Sequence, residues 1–545
     1  MSKNSIQWDT NTNLWVKKFW LNCDETQMHF FEHNNILNPK MKFQNSLVLM
    51  LIFLFSLSTG SYAQYETSSA QLTITMGEIA TIPHFQMAGT IGSDKTGVYL
   101  YGEMKDKPHL VKFGPDLTYQ LDVPLDLNLN PSRSLEILKY ILKEGRLFVY
   151  YEEHNRSNFE KTFELYMQEY DVTTLQKMGN PALLCMNRAE KARYFLDSEM
   201  KYFFPNDHWE FVVAYQDTVD GEDRQIKFNV FDYGGKKLHS LETPPEINRM
   251  GYLMSVKSNP EGKLFLAYGY NFLYVFDRTG KLESSIDMKL PDIALANRGE
   301  LLMDEQENKY FSYVHYNPAV TRVTGFITQK IDKDQNTETF IVPITQEYVL
   351  LNQGRASFRN AAQELTKYGQ AGLPNLKFLK RKILPDGSLI MAYETLITVK
   401  KWSKEDSQSF YEDTYGDIHV IKLKPSGELD WIRKIPKLQT PEVGDRLTSA
   451  YVHWNNGETF IFMSDNPANN KDMAVEIPVS YSANSKDVTL VHISADGQVN
   501  RNALFPKKDP NTLFAHSKWM MEDDGQLIMS SIKTKYVQLF RFEFK

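Results

Sequence analysis

A glycine turn followed by an alternating apolar run recurs along this chain, and that repeat restricts its folds more than any other feature. Glu144-Gly145 precedes Leu147-Phe148-Val149-Tyr150, and Glu261-Gly262 precedes Leu264-Phe265-Leu266. Asp386-Gly387 precedes Leu389-Ile390-Met391, and Asp524-Gly525 precedes Leu527-Ile528-Met529. Glycine enters the left-handed turn conformation without a Cβ penalty, and such pairs between alternating segments mark β-hairpins. Hairpins repeated at intervals of tens of residues indicate an all-β fold, a β-propeller. Repeat-like blocks fall near 86–126, 136–180, 196–243, 251–290, 299–345, 377–436, 448–507 and 515–545. That is about eight blades, with seven as the alternative count because the second and third blocks are irregular. Two stacked sandwiches would also give many short strands, but no Pro- or Ser-rich linker divides the chain.

The last block is short by about one strand and ends in Phe540-Arg541-Phe542-Glu543-Phe544, a strict period-two pattern. Gln71-Leu72-Thr73-Ile74-Thr75-Met76 alternates as well and precedes the first block. This N-terminal strand is expected to complete the last blade and close the ring, removing open sheet edges. Two segments break the β pattern. Ser357–Tyr368 sets Phe358, Ala361, Ala362, Leu365 and Tyr368 on one helical face, with Ser357 to cap it and Gly369 to end it. That predicts one short helical insertion. Lys401–Tyr415, rich in Asp, Glu, Ser and Tyr, reads as a second insertion, separating the strands of the sixth block.

Near the N-terminus, Met41-Lys42 leads into the apolar core Leu47–Phe55, and Ser61-Tyr62-Ala63 offers small residues at the cleavage positions. The order is that of a secretory signal peptide, with an apolar core too short to span a bilayer. Residues 1–40 then read as a mis-assigned extension upstream of a start at Met41, 41–63 as the signal peptide, and 64–545 as a single propeller domain. The mature chain is expected in the periplasm or outside the cell. Of two cysteines, Cys23 lies in the extension, so Cys185 alone remains. A disulfide framework or multi-thiolate metal site is thereby excluded from the mature chain. The net charge of −7 argues against nucleic acid or anionic membrane as partner. The densest basic run, Lys380-Arg381-Lys382, reads as a solvated strand end.

Motifs for chemistry are sparse. No Gly-x-Ser-x-Gly elbow occurs, and Ser198-x-x-Lys201 and Ser530-x-x-Lys533 fall on expected strands. Histidines such as His419 and His492 are scattered singly, without the spacing of a zinc site. Asp332–Glu338 alternates oxygen ligands but lacks the glycine and distal glutamate of a calcium loop, so a solvated hairpin turn is expected. Phosphate-cradling glycine motifs are absent. Neither a cofactor nor a metal is expected. Trp431 reads as a packing residue between blades. Binding candidates are the residues on the two insertions, where packing has less claim on side chains: Arg355 and Arg359 on one, Trp402, Tyr411 and Tyr415 on the other.

The run Leu384-Pro385-Asp386-Gly387-Ser388-Leu389-Ile390-Met391-Ala392-Tyr393-Glu394, then Tyr415–Ile421, Gly427–Trp431, Lys434–Gln439 and Phe460–Asn469, resembles secreted, uncharacterised propeller-like proteins of the Bacteroidota. The resemblance covers about residues 375–545 and the signal ending Ala63-Gln64. It implies fold and compartment and carries no catalytic residues. The expectation is an exported, monomeric, non-catalytic propeller that binds a protein or glycan, with no membrane span in the mature chain. The alternative is a propeller enzyme, a glycan lyase or hydrolase, with acid and base groups converging at the axial mouth.

Overall fold

A computed structural model describes residues 62–63, 72–105, 107–127, 134–156, 160–190, 200–204, 210–215, 226–249, 252–269, 272–288, 295–296 and 301–317. It further describes 322–351, 363, 367, 372–403, 408–439, 449–470, 487–504, 520–523, 526–533 and 536–544. The proposed extension and signal core lie outside these residues.

The described strands form eight antiparallel sheets arranged as the blades of a ring, so the chain is an eight-bladed β-propeller. Within each sheet of the first seven blades the strands pair in sequence order, except that in blade five Leu295–Ala296 and Leu302–Met303 both pair with Lys309–Asn317. Their spans follow the sequence blocks closely; blade six, for example, comprises Leu376–Ile383, Leu389–Ser403, Gln408–Leu423 and Leu429–Ile435.

The eighth blade is completed from the other end of the chain. Leu72–Met76 pairs antiparallel with the final strand, Tyr536–Phe544, in a register running from Leu72↔Phe544 to Met76↔Phe540. Tyr62–Ala63 adds a further short pairing outside it, so cleavage after Ala63 would leave the four-stranded blade intact. Period-two alternation explains the fit: Phe540 and Phe542 point inward with Leu72 and Ile74, and all four are buried.

Closure of the ring is visible in its cores. Each neighbouring pair of blades encloses its own apolar cluster, and eight such clusters occur among the described residues. One joins Ile528, Val537 and Leu539 of the last blade to Phe85, Val98 and Phe113 of the first. Trp431 packs between blades six and seven, as expected, and its indole N–H donates to the Ala495 carbonyl at 3.1 Å.

Gly145, Gly262, Gly387 and Gly457 turn between first and second strands, and Gly235, Gly280, Gly427 and Gly497 between third and fourth, so these turns share one end of the ring. Asp277 shows the recurring chemistry: its Oδ1 accepts from the Thr279 and Lys281 backbone N–H groups at 2.8 and 2.9 Å. Gly280 follows at φ 88°, where an added Cβ would strike the Ser240 carbonyl. Asp332, in the segment that alternates like a calcium loop, does the same work, accepting from Asn336 N at 2.8 Å. That segment is a hairpin turn. The opposite end of the ring carries the second-to-third hairpins and the blade-to-blade connections; we call it the loop face.

In the connection from blade five to blade six, a short helix runs over Gln346–Leu350, capped by Thr345 Oγ1 accepting from Tyr348 N at 3.2 Å. Of the segment expected to be helical, Gln363 and Lys367 are described, and both are helical.

Candidate functional site

The segment read as an insertion over 401–415 proves to be regular structure. The second and third strands of blade six run on past their neighbours as a two-stranded ribbon. Pairing with the first strand ends at Leu376↔Thr395, and pairing with the fourth ends at Ile418↔Ile435. Beyond that, 396–403 pairs with 408–415, from Leu396↔Tyr415 to Ser403↔Gln408, and at the root Tyr415 also bridges Gln439 while Leu396 N donates to the Asn375 carbonyl. At about 3.4 Å per residue the ribbon rises roughly 27 Å from the loop face. The polar composition disguised it, although Leu396-Ile397-Thr398-Val399 has strong β preference.

An isolated two-stranded hairpin is marginal in water, so its cross-strand pairs matter. Partners across an antiparallel pair share a face, which places Thr398, Lys400 and Trp402 with Ser409, Tyr411 and Asp413 on one side. Thr398 Oγ1 donates to Asp413 Oδ1 at 2.5 Å, and Lys400 Nζ sits 6.0 Å from the Tyr411 ring centre. Trp402 and Tyr411 stay 65% and 70% exposed, the largest exposures among the described large apolar side chains. Ile397 and Val399 are exposed on the opposite side.

Tyr415 is placed differently. It is half-buried at the ribbon root, with Lys377 and Lys437 ammonium groups 5.1 and 5.7 Å from its ring centre. The structure thus joins Trp402 and Tyr411 on one face and makes Tyr415 part of their support. Arg355 and Arg359 lie outside the described residues.

Beneath the ribbon lies a polar layer that the sequence did not suggest. Glu394 and Lys437, both fully buried, form an ion pair, and Ser449 Oγ donates to the other Glu394 oxygen at 2.6 Å. Buried Asp465 pairs with Arg501, which also donates to the Pro436 carbonyl at 2.9 Å. Lys434 Nζ donates to the Leu351 carbonyl at 2.6 Å and lies 3.6 Å from Asp417. These contacts pin the blade-six-to-seven connection and the capped helix against the ribbon root.

His419 belongs to the same layer. Tyr348 OH lies 2.8 Å from its Nδ1 and Thr395 Oγ1 3.1 Å from its Nε2. Burial, reinforced by the Lys434 charge, holds its pKa down at about 3. As pH falls below about 6.5 the unfolded chain takes up a proton that the folded chain refuses, so stability drops by about 1.4 kcal/mol per pH unit at this site. Denaturant unfolding should therefore show His419→Gln losing about 2 kcal/mol less than wild type between about pH 6.5 and pH 5.

A second cluster joins the first strands of three blades. Those of blades six, seven and eight bring together Lys380, Tyr451, His453 and Glu522. Glu522 Oε1 pairs with Lys380, accepts from Tyr451 OH at 3.1 Å and lies 3.0 Å from His453 Nδ1. Burial opposes the Glu522 carboxylate, but His453 and Lys380 outweigh it and hold the pKa at about 2. Burial lowers Lys380 more than Glu522 raises it.

The expectation of a solvated Lys380-Arg381-Lys382 run is corrected here. Lys380 turns into the ion pair, and Arg381 is buried with Nη1 donating to the Ser312 carbonyl at 3.4 Å. Lys382 alone is exposed, lining a cleft of about 510 Å³ between blades five and six at the turn end. Two carboxylates in that cleft, Asp304 and Asp386, are held by their own turns. Ser530 is buried, its hydroxyl 3.1 Å from Thr90 Oγ1, which removes it as an exposed nucleophile. His492, also buried, stacks on Phe460 and lies 3.1 Å from Glu458. No group of three or more His, Cys, Asp or Glu side chains suited to a metal occurs among the described residues, and no described helix is long and apolar enough to cross a membrane.

No protein-family model matches the chain, and no curated protein matches it. Solved propeller structures are similar in fold. Prolyl oligopeptidase B from Galerina marginata is 10% identical at a TM-score of 0.40, over 82% of this chain and 56% of that one. The Nup133 β-propeller domain from Vanderwaltozyma polyspora is 10% identical at 0.32, over 75% of this chain and 100% of its own. The β-propeller domain of the Trilobed protease from Pyrococcus furiosus is 9% identical at 0.33, over 75% and 94%. The chain spans little more than half the length of the prolyl peptidases, 55% of one prolyl endopeptidase and 56% of prolyl oligopeptidase B.

Proposed function

We propose that this chain is an exported, non-catalytic β-propeller that docks a macromolecule or glycan through the blade-six ribbon. The observation carrying this reading is the ribbon itself: two aromatic side chains, about two-thirds exposed, on one face of an extension that contributes little to the ring. Large aromatics left in water on a rigid support are characteristic of binding surfaces. Export to the periplasm or cell exterior is supported by the Met41–Ala63 sequence and by the resemblance to secreted Bacteroidota proteins. The ring is complete within one chain, so no second copy is needed for folding.

The test is a thermal-shift screen of the 64–545 chain against oligosaccharides. A ligand at about a hundred times its Kd adds about 2.7 kcal/mol of stability. A stabilising shift lost in Trp402→Ser/Tyr411→Ser, with the unliganded melting point unchanged, supports the ribbon. A shift kept in full by that double variant removes the ribbon from the binding site.

The enzyme reading has the Glu522 cluster in its favour, since acid, base and phenol groups from three blades meet there. Against it, Glu522 at about 2 is a poor proton donor or acceptor near neutral pH and is tied to Lys380. The cluster is better suited to holding the three strands together.

A further inference from the structure

The aromatic face of the ribbon has an order of chemistry from root to tip that is complementary to itself when reversed. The levels are Leu396 with Tyr415, Thr398 with Asp413, Lys400 with Tyr411, and Trp402 with Ser409. Among the described residues of its own chain, the Lys400 ammonium has no carboxylate within ion-pair distance. It lies over the Tyr411 ring instead. The Asp413 carboxylate likewise has only the Thr398 hydroxyl and no cation at that distance. A basic and an acidic group are thus presented on one exposed face, one level apart, beside an exposed tryptophan.

We propose that a second copy of this chain covers this face, its ribbon lying antiparallel on the first about a two-fold axis. The proposal rests on the ribbon being the docking element and names its partner. Reversal sets Lys400 of each copy against the Thr398–Asp413 pair of the other, and Trp402 against the other's Leu396 and Tyr415. A two-fold axis makes every such contact occur twice, which is how self-complementary patches close into dimers. The parallel arrangement sets Lys400 against Lys400, so charge selects the antiparallel one. A ribbon face roughly 27 Å long and two strands wide is smaller than the ~800 Å² per partner of standard stable interfaces. The dimer therefore exchanges with monomer at micromolar concentration, and the two loop faces look towards each other across the paired ribbons.

Sedimentation velocity of the 64–545 chain from about 1 to about 200 µM tests this, spanning the affinity expected of a small interface. Wild type should shift from monomer to dimer across that range. Trp402→Ser should weaken the dimer at least about tenfold, as loss of a central aromatic anchor does. Lys400→Glu and Asp413→Lys should each sediment as monomer, because each sets like charges together. Mixed in equal amounts, these two variants should form a heterodimer, since both cross-copy pairs then become opposite in sign. A merely structural role for either residue would not give rescue on mixing, and circular dichroism checks that each variant is folded. Wild type monomeric throughout, or variants that remain monomeric when mixed while wild type dimerises, overturns the proposal. Wild-type monomer with a ribbon-dependent oligosaccharide shift overturns the dimer alone, whereas dimerisation unchanged in Trp402→Ser/Tyr411→Ser removes the ribbon from self-association.

Discussion

A Lys437→Met chain is expected to unfold with about 3–5 kcal/mol less free energy than wild type, the cost of breaking a buried ion pair from one side. Lys437 is 1% exposed and Glu394 0% exposed. Methionine fills similar space, so packing changes little, but the Glu394 carboxylate keeps only the Ser449 hydroxyl. A buried charge without its counter-charge either stays at high cost or takes up a proton, and both routes reduce stability. The double variant Lys437→Met/Glu394→Leu removes both charges and should recover most of the loss. Urea unfolding of the two variants against wild type decides the matter, with recovery in the double variant as the diagnostic. If the single variant costs under about 1 kcal/mol, the pair is not the desolvated bridge described here.

A chain beginning at Gly77 is expected to lose a stable ring altogether. Its missing strand supplies five register positions against the last strand and buries Leu72 and Ile74 at 1% and 3% exposure. Two buried aliphatic side chains contribute about 1.5–3 kcal/mol each, and each strand hydrogen bond about 1 kcal/mol. Together these approach the whole margin of roughly 5–15 kcal/mol by which domains are folded. The loss also uncovers one edge of Tyr536–Phe544, an aromatic-rich strand open to pairing between molecules. The truncated chain should collect in aggregates on size-exclusion chromatography, and a peptide spanning 64–78 added in trans should return part of it to the monomer position. A truncated chain that melts like wild type would show that the closing strand is dispensable.

What could be read before the structure was the periodic part. Alternation and glycine turns marked the blades, and the pattern in Phe540–Phe544 with that in Gln71–Met76 foretold closure. Local signals suffice there because a strand exposes its pairing face to inspection every second residue. The buried polar layer was invisible for the opposite reason. Glu394, Lys434, Lys437 and Asp465 carry no local mark of burial, and what buries them is contact between strand ends and connections far apart in sequence. Lys380 misled in the same way, because Glu522, its partner, comes from another blade. Trp402 and Tyr411 were read as lying on an insertion, whereas they extend two strands of blade six, and their shared face depends on the ribbon's register, which polar composition concealed. The short helix after Ile344 carried a signal that was there to be used, a threonine followed by a first-turn acid, Thr345 and Glu347.

The joining of Leu72 to Phe544 also imposes an order in time. A segment made early is held by one made late, across roughly 470 residues, and a loop that long costs about 4 kcal/mol more to close than a hairpin. That cost falls away once the intervening blades have stacked and brought the two ends side by side. The strand Leu72–Met76 should therefore remain unattached until Tyr536–Phe544 has been made and the blades between have stacked, and then act as a latch on a ring already assembled.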